Sequence, residues 1–214
     1  MPPLQTFIAL APLAVYFLLL GSINISRRPL LTTGSRDSYV LGLALSGLVI
    51  IGPLELFIPD RAPHPYVWFL MLALYSMCLT LFVLMIRPRI VIYNITTEQL
   101  RPVLADVIAQ LDQDHQWAGD SLVLPKLGVQ LHVEKFTSMR NISLVATASE
   151  QSYRGWVELE RALTDELRKV EVDPNPLGMI LIVLSVLMLG CSMTWMVMNQ
   201  QQVASDFFEI LRIL

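Results

Sequence analysis

Charged side chains are scarce in this sequence. Only 15% of its 214 residues are Asp, Glu, Lys or Arg, whereas soluble domains carry about 25%. The deficit is concentrated in four stretches, each close to the ~20 residues that a helix needs to cross about 30 Å of hydrocarbon. The composition therefore argues against an ordinary soluble protein and predicts four transmembrane helices. We place them at about 4–24, 39–58, 66–86 and 177–198.

Cysteine is nearly absent as well. The two cysteines, Cys78 and Cys191, fall inside predicted spans and have no partner at metal-binding or redox-motif spacing. This excludes a disulfide framework, and we interpret both as small packing residues. The first span has no basic segment before it and no small-x-small cleavage pattern after it. We therefore expect it to be retained rather than cleaved as a signal peptide.

Motifs of the common enzyme classes are also missing. The sequence contains no GxSxG, no glycine-rich phosphate loop and no HExxH. The run LDQDHQWAGD opens like a calcium loop at Asp112 and Asp114, but it lacks the turn glycine and the closing glutamate. His132 alternates outward from a predicted strand beside Glu134, and no nucleophile is placed near it. We therefore predict no catalytic residue, no cofactor and no metal ligand, and the sequence favours a non-enzymatic role.

Basic residues are distributed unevenly around the predicted spans. Arg27 and Arg28 lie between the first two spans, and Arg87 and Arg89 directly follow the third. Thirteen of the 15 Lys and Arg residues fall on that side of the membrane, which the positive-inside rule makes cytoplasmic. We predict a bacterial plasma (inner) membrane protein with both termini outside. The segment between the third and fourth spans is then cytoplasmic.

This segment, residues 90–176, follows a membrane part at 1–89 and has the pattern of a folded domain. Apolar periodicity predicts an amphipathic helix through Leu100–Leu111 and another at about 150–170. Four strands are predicted at 90–93, 121–124, 129–134 and 142–148. The order β-α-β-β-β-α indicates an α+β domain, with the last three strands as an antiparallel meander and both helices on one face. Thirteen acidic and eight basic residues make it net acidic, which argues against nucleic acid as a partner.

One carboxylate interrupts the second span. In the stretch GPLELF, Gly52 and Pro53 should loosen the helix. Glu55 follows them, about 5 Å below the outer end of the span at 1.5 Å per residue. An acid at the bilayer centre costs about 2.5–3.5 kcal/mol, and the cost falls toward the interface. Glu55 either reaches the interface or bonds inside the bundle, or it is a buried acid that carries protons, binds a cation or anchors a partner helix.

Small residues suggest how the second span packs. Gly42, Ser46 and Gly47 lie at spacings that let helix backbones approach closely, so we expect this span to pack centrally among the others. The C-terminal segment, 199–214, is amphipathic and is expected to lie in the outer interface or to dock a partner.

Three Asn-Ile-Ser/Thr sequons occur in the sequence, at Asn24, Asn94 and Asn141. Glycosylation would require exposure to a secretory lumen. The predicted topology places Asn94 and Asn141 in the cytoplasm, so we interpret all three sequons as chance occurrences.

These features favour a polytopic, non-catalytic membrane protein. We expect a scaffold or an accessory or assembly subunit that contacts the lipid bilayer and binds a protein partner through its cytoplasmic domain. A homo-oligomer is the other expected assembly. The alternative is a transporter or channel component with Glu55 in an oligomeric pore. A membrane enzyme acting on a lipid-phase substrate is a further alternative, with Glu55 as its acid.

Overall fold

The computed structural model describes residues 2–54, 65–136, 139–148 and 150–205. The chain is mostly helical and contains a small antiparallel sheet. It divides into two compact units. One, which we call the helical unit, contains Met1–Gly21, Ser38–Met85 and Ile180–Leu214. The other, which we call the sheet unit, contains Ser22–Asp37 and Ile86–Met179.

Four long helices of the described residues carry the apolar stretches of the sequence. They are α1 (Pro3–Ile25), α2 (Gly34–Val49), α3 (Pro65–Met85) and α6 (Pro176–Met198). Both α1 and α6 are long and apolar enough to cross a membrane. Only 17% of the most apolar part of each is buried, which distinguishes them from core helices of a soluble fold.

The predicted arrangement of four spans is confirmed only in part, because among the described residues only α1 and α6 pass the test of length and apolarity for a span. α2 has 16 residues and is followed by a π-helix, Ile50–Leu54, at the Gly52-Pro53 pair. Proline has no backbone N–H to donate, which breaks the α-helical pattern there. α2 also begins at Gly34 rather than at about 39, so its first turn is polar. α3 is 21 residues long, and Phe69–Met85 is its described apolar stretch.

The sheet has six antiparallel strands in the order β1-β2-β6-β5-β4-β3. The strands are β1 (Leu30–Thr33), β2 (Arg89–Tyr93), β3 (Gln116–Ala118), β4 (Ser121–Leu124), β5 (Val129–Phe136) and β6 (Asn141–Ala146). The predicted meander is present as the neighbours β4, β5 and β6.

The structure has two strands, β1 and β3, that the predicted order β-α-β-β-β-α did not include. β3 is three residues long, too short to show an alternating pattern, and it adds a strand between the first helix and β4. β1 precedes the predicted domain and pairs with β2, with Leu31 opposite Ile92. The sheet unit therefore takes in residues upstream of α2 as well as the range predicted from the sequence.

Two helices pack on one face of the sheet, as predicted. They are α4 (Thr97–Leu111) and α5 (Tyr153–Leu167). Gln99 Oε1 accepts a hydrogen bond from the backbone N–H of Thr96 at the start of α4, and Ser152 Oγ accepts one from Gly155 at the start of α5. Both helices contribute to a single apolar core with the strands, which includes Ile92, Leu104, Ile108, Leu131, Leu144, Leu159 and Leu163.

The face of the sheet opposite α4 and α5, which we call the second face, contacts the first turn of α2 at β2. The hydroxyl of Tyr93 donates a hydrogen bond to Asp37, and Arg89 donates another to the same carboxylate at 3.5 Å. A Cβ atom at Gly34 would lie 2.1 Å from Cγ of Arg89. A residue without a side chain at position 34 therefore allows the start of α2 to lie against the Arg89 side chain of β2.

Candidate functional site

A shallow groove opens beside the first half of α4, at one edge of the sheet. Its empty volume of about 300 Å³ includes open solvent, so the space suits a side chain rather than a whole cofactor. Its floor is formed by Leu100, Leu104 and Val133, which belong to the apolar core. The full lining is Thr97, Leu100, Arg101, Leu104, Trp117, Asp120 and Val133.

Trp117 lies at the open side of this groove. It is opposite Leu122 of β4 on the edge strand β3. Because Leu122 belongs to the core, the indole shares the helix-covered face of the sheet, and it lies on the edge strand of the six described. The residue remains 38% exposed. An exposed tryptophan above a rigid apolar floor has the character of an anchor residue in protein interfaces.

Some charged side chains around the groove form ion pairs with each other, and others do not. Nζ of Lys135 lies 3.1 Å from the carboxylate of Asp120. The pKa of Glu98 is lowered, first by a hydrogen bond from its own backbone N–H and then by one from Thr96. Arg101 is exposed and forms no ion pair with any residue in the described part of the chain. The groove thus combines an apolar floor with a cation available to an incoming carboxylate.

Asp112 stabilises the turns beyond α4 instead of opening a calcium loop. It is fully buried, and its two carboxylate oxygens accept hydrogen bonds from the backbone N–H groups of Asp114, at 2.9 Å, and Lys126, at 2.8 Å. The ring of His115 contacts the Asp112 carbonyl at 2.8 Å. Among the described residues, no three His, Cys, Asp or Glu side chains are grouped so that they could hold a metal ion.

His132 has a neighbour that the sequence did not place beside it. Its Nδ1 lies 3.0 Å from Oγ of Ser121, directly opposite on β4. Glu134 follows two residues later on the same open face of β5. To act as a nucleophile and its general base, Ser121 and His132 would also need a group that orients the imidazole and hydrogen-bond donors that stabilise an oxyanion. The contact between the His132 ring and Ser121 is that of a cross-strand hydrogen-bonded pair.

The three sequon asparagines gather at one end of the sheet unit. Asn24 and Asn94 are 3% and 1% exposed. Nδ2 of Asn94 donates to the Ser26 carbonyl at 2.6 Å, and Nδ2 of Asn175 donates to Oδ1 of Asn24 at 3.2 Å. Oδ1 of Asn141 is buried as well. The side chains of Asn24 and Asn94 are thus buried and hydrogen-bonded within the sheet unit.

The small residues of α2 lie at two helix contacts within the helical unit. A Cβ atom at Gly47 would lie 2.2 Å from the backbone oxygen of Ile8 on α1. At Gly42 it would meet the Leu79 side chain of α3 at 2.4 Å, and the Tyr75 hydroxyl donates to the Gly42 carbonyl at 2.6 Å. Ser46 instead donates within its own helix, to the Leu43 carbonyl.

Several predicted residues lie in loops or outside the described chain. Arg27 and Arg28 are exposed in the connection after α1, and Arg87 is exposed before β2. Glu55, the candidate intramembrane acid, lies outside the described residues. The same holds for most of the C-terminal segment, of which 199–205 is described and 200–205 is helical.

Comparison with known proteins gives no match. No family model, no curated protein and no solved structure is significantly similar to this chain.

The groove is the feature that sequence reasoning missed. Trp117 occurs in a polar run, and nothing in that run shows that a three-residue strand places its indole beside α4. Trp117 itself could have indicated a site here, because a tryptophan among Gln, Asp and His residues is unusual for a solvated loop. Arg101 carried no local signal, since a basic residue on the polar side of an amphipathic helix is ordinary.

Proposed function

We propose that this chain is a non-catalytic membrane protein, a scaffold or an accessory or assembly subunit, whose sheet unit binds a protein partner at the Trp117 groove. The observation that carries the proposal is the exposed indole of Trp117 above a floor of buried core residues. Tryptophan and arginine are the residue types most enriched among the anchors of protein interfaces, and the groove has one of each.

The chemistry of the groove defines the partner. The floor is apolar and holds Leu100 and Leu104 in fixed positions within the core, so it favours an apolar side chain that fills the groove at little entropic cost. Arg101 favours a carboxylate beside that side chain, because a guanidinium pairs with carboxylates in a two-point geometry. Asp120 is already paired with Lys135, so it does not compete for Arg101.

The membrane arrangement is part of the same proposal. α1 and α6 supply two spans, and the apolar stretches of the sequence at about 39–58 and 66–86 predict the other two. The basic residues of the sequence support an orientation with both termini outside and the sheet unit in the cytoplasm of a bacterial cell. A partner-binding unit tethered to the membrane is compatible with an assembly factor or accessory subunit.

The orientation can be tested with a thiol reagent that does not cross membranes. Tyr153 is 83% exposed on the sheet unit, so Tyr153→Cys, made after replacing Cys78 and Cys191 with serine, adds one accessible thiol. We expect labelling in inverted membrane vesicles and none in intact spheroplasts. Labelling in spheroplasts would reverse the proposed orientation.

Binding at the groove predicts a selective effect of Trp117→Ser. The substitution removes the anchor side chain, and truncating such residues typically costs about 2 kcal/mol or more, about a thirtyfold loss of affinity. We expect a partner that copurifies with the wild-type protein in mild detergent to be lost from this variant. Tyr153→Ser removes an aromatic side chain that is more exposed and outside the groove, and it should retain the partner. Equal retention by both variants would count against the groove.

A further inference from the structure

The strand beside the groove lies at an edge of the sheet. β3 stands last in the strand order β1-β2-β6-β5-β4-β3, and among the described strands it pairs with β4 alone. All of its residues are exposed. A strand at the edge of a sheet presents backbone N–H and C=O groups that can pair with another chain. The direction of these groups therefore decides what β3 can bind.

The hydrogen bonds of β4 fix that direction. The backbone N–H of Val133 on β5 donates to the Asp120 carbonyl at 2.8 Å. Along an antiparallel strand, successive residues direct their backbone groups to opposite sides. Ser121 therefore bonds toward β3, and Leu122 bonds toward β5. Trp117 is opposite Leu122, so its own N–H and C=O point away from β4, toward the edge of the sheet.

The turn that joins β3 to β4 gives the same result. Gly119 and Asp120 separate the paired residues Ala118 and Ser121. Gly119 has a φ of +66°, whereas Asp120 is not among the residues with positive φ, and this is the pattern of a type II′ turn. The two residues that flank such a turn form a hydrogen-bonded pair. The backbone groups of Trp117, one residue before that pair, are therefore directed outward.

This edge is open to a further strand. Proteins commonly protect an edge with charged residues or proline, and β3 consists of Gln116, Trp117 and Ala118, none of which is charged or proline. A Cβ atom built at Gly119 would have no described atom within 4 Å. A chain that runs beside β3 thus has room at the turn end of the groove.

We propose that the partner binds as an extended segment of a second protein, which adds a strand to the sheet beside β3. The inference rests on the proposed function and deepens it by giving the conformation of the partner at the Trp117 groove. The partner residue opposite Trp117 exchanges two backbone hydrogen bonds with it, as in other cases of strand addition. Its side chain then lies beside the indole, on the helix-covered face of the sheet.

The surroundings of β3 determine the residue types of this segment. Side chains two residues apart in a strand share a face, so alternate residues of the segment lie along Trp117 and the turn end of the groove. The indole and the floor formed by Leu100 and Leu104 favour apolar side chains at these positions. Arg101, which also lines the groove, favours an Asp or Glu among them because the charges are opposite.

Hydrogen exchange at single residues tests strand addition. The complex that copurifies in mild detergent is compared with the same full chain overproduced and purified without the partner, and fragmentation by electron transfer resolves the amides of 116–118. The amides of Gln116 and Ala118 bond to β4 in both preparations and serve as internal controls. We expect exchange at the Trp117 amide to be at least about tenfold slower in the complex, with little change at Gln116 and Ala118.

Other outcomes distinguish this inference from the proposed function. If the partner is lost in Trp117→Ser but the wild-type Trp117 amide exchanges equally fast in both preparations, strand addition is refuted and binding at the groove stands. Equal slowing of all three amides would also refute strand addition, because a partner that only covers the edge slows them together. Slowing in an assembly whose mass fits copies of this chain alone would refute a second protein as the occupant. Absence of any copurifying protein would refute the proposed function and the inference together.

Discussion

Replacing Asp112 with alanine is expected to lower the free energy of unfolding of the sheet unit by about 2–5 kcal/mol. The substitution removes the buried carboxylate that accepts part-buried hydrogen bonds from the backbone N–H groups of Asp114 and Lys126. A hydrogen bond to a charged group contributes about 1.5–3 kcal/mol. A loss of this size is a large fraction of the roughly 5–15 kcal/mol that stabilises an ordinary domain.

The measurement is hydrogen exchange of the full-length protein in detergent, followed at β4 and β5. Asp114→Ala is the matched control, because its carboxylate pairs with Lys126 at the surface, where the side chains are 68% and 52% exposed. An exposed ion pair of this kind contributes roughly 0–1 kcal/mol. Asp112→Asn keeps an acceptor oxygen and should fall between the two. Equal protection in the Asp112→Ala and Asp114→Ala proteins would show that Asp112 does not hold these turns together.

Replacing Gly47 with leucine is expected to separate α1 from α2. A Cβ atom at this position would lie 2.2 Å from the backbone oxygen of Ile8 and 2.8 Å from that of Ala9. Backbone atoms cannot rotate away as a side chain can, so the two helices must move apart and lose their packing. Overpacking costs about 1–3 kcal/mol even where side chains can adjust, and we expect at least the upper end of that range.

Unfolding in SDS from mild detergent measures this effect, with two comparisons on the same unit. At Gly190 of α6 a Cβ atom would enter open space, with no atom within 4 Å, so Gly190→Leu should change stability by less than about 0.5 kcal/mol. Gly42→Ala should be intermediate, because its nearest contact is the flexible end of the Leu79 side chain. Equal stability of the Gly47→Leu and Gly190→Leu proteins would contradict the close approach of α1 and α2.

Much of the fold follows from local sequence patterns. The helix predicted through Leu100–Leu111 is α4, because its apolar residues recur with helical spacing and the Thr96 and Gln99 pair marks its start. The strand predicted at 121–124 is β4. The stretch at 4–24 corresponds to α1 because an uninterrupted apolar run has few alternatives to a helix.

The elements that the sequence did not predict depend on contacts between residues that are far apart in the chain. β1 is a strand because it pairs with β2, about 60 residues later in the chain, and its four residues show no alternation. The α-helical part of α2 ends where Pro53 withdraws a donor, but its early start depends on Asp37 bonding to Tyr93 in the sheet. Local patterns do not contain such pairings.

The candidate site was the least predictable part for the same reason. Trp117 reaches the groove only because β3 pairs with β4, and Asp112 is buried only because the chain returns at Lys126. The acidic run around Asp112 looked like an incomplete calcium loop because spacing alone cannot show where carboxylate oxygens point. Glu55, the strongest signal in the sequence, lies outside the described residues, and its role stays a prediction.

The central claim is that this chain binds a different protein through its sheet unit, and native mass spectrometry of the gently extracted complex tests it most directly. The account predicts a mass that exceeds a whole-number multiple of the chain's own mass by that of a second polypeptide, with the excess lost in Trp117→Ser. A mass equal to a whole-number multiple of the chain, the same in wild type and in Trp117→Ser, would contradict the account and favour an oligomeric pore.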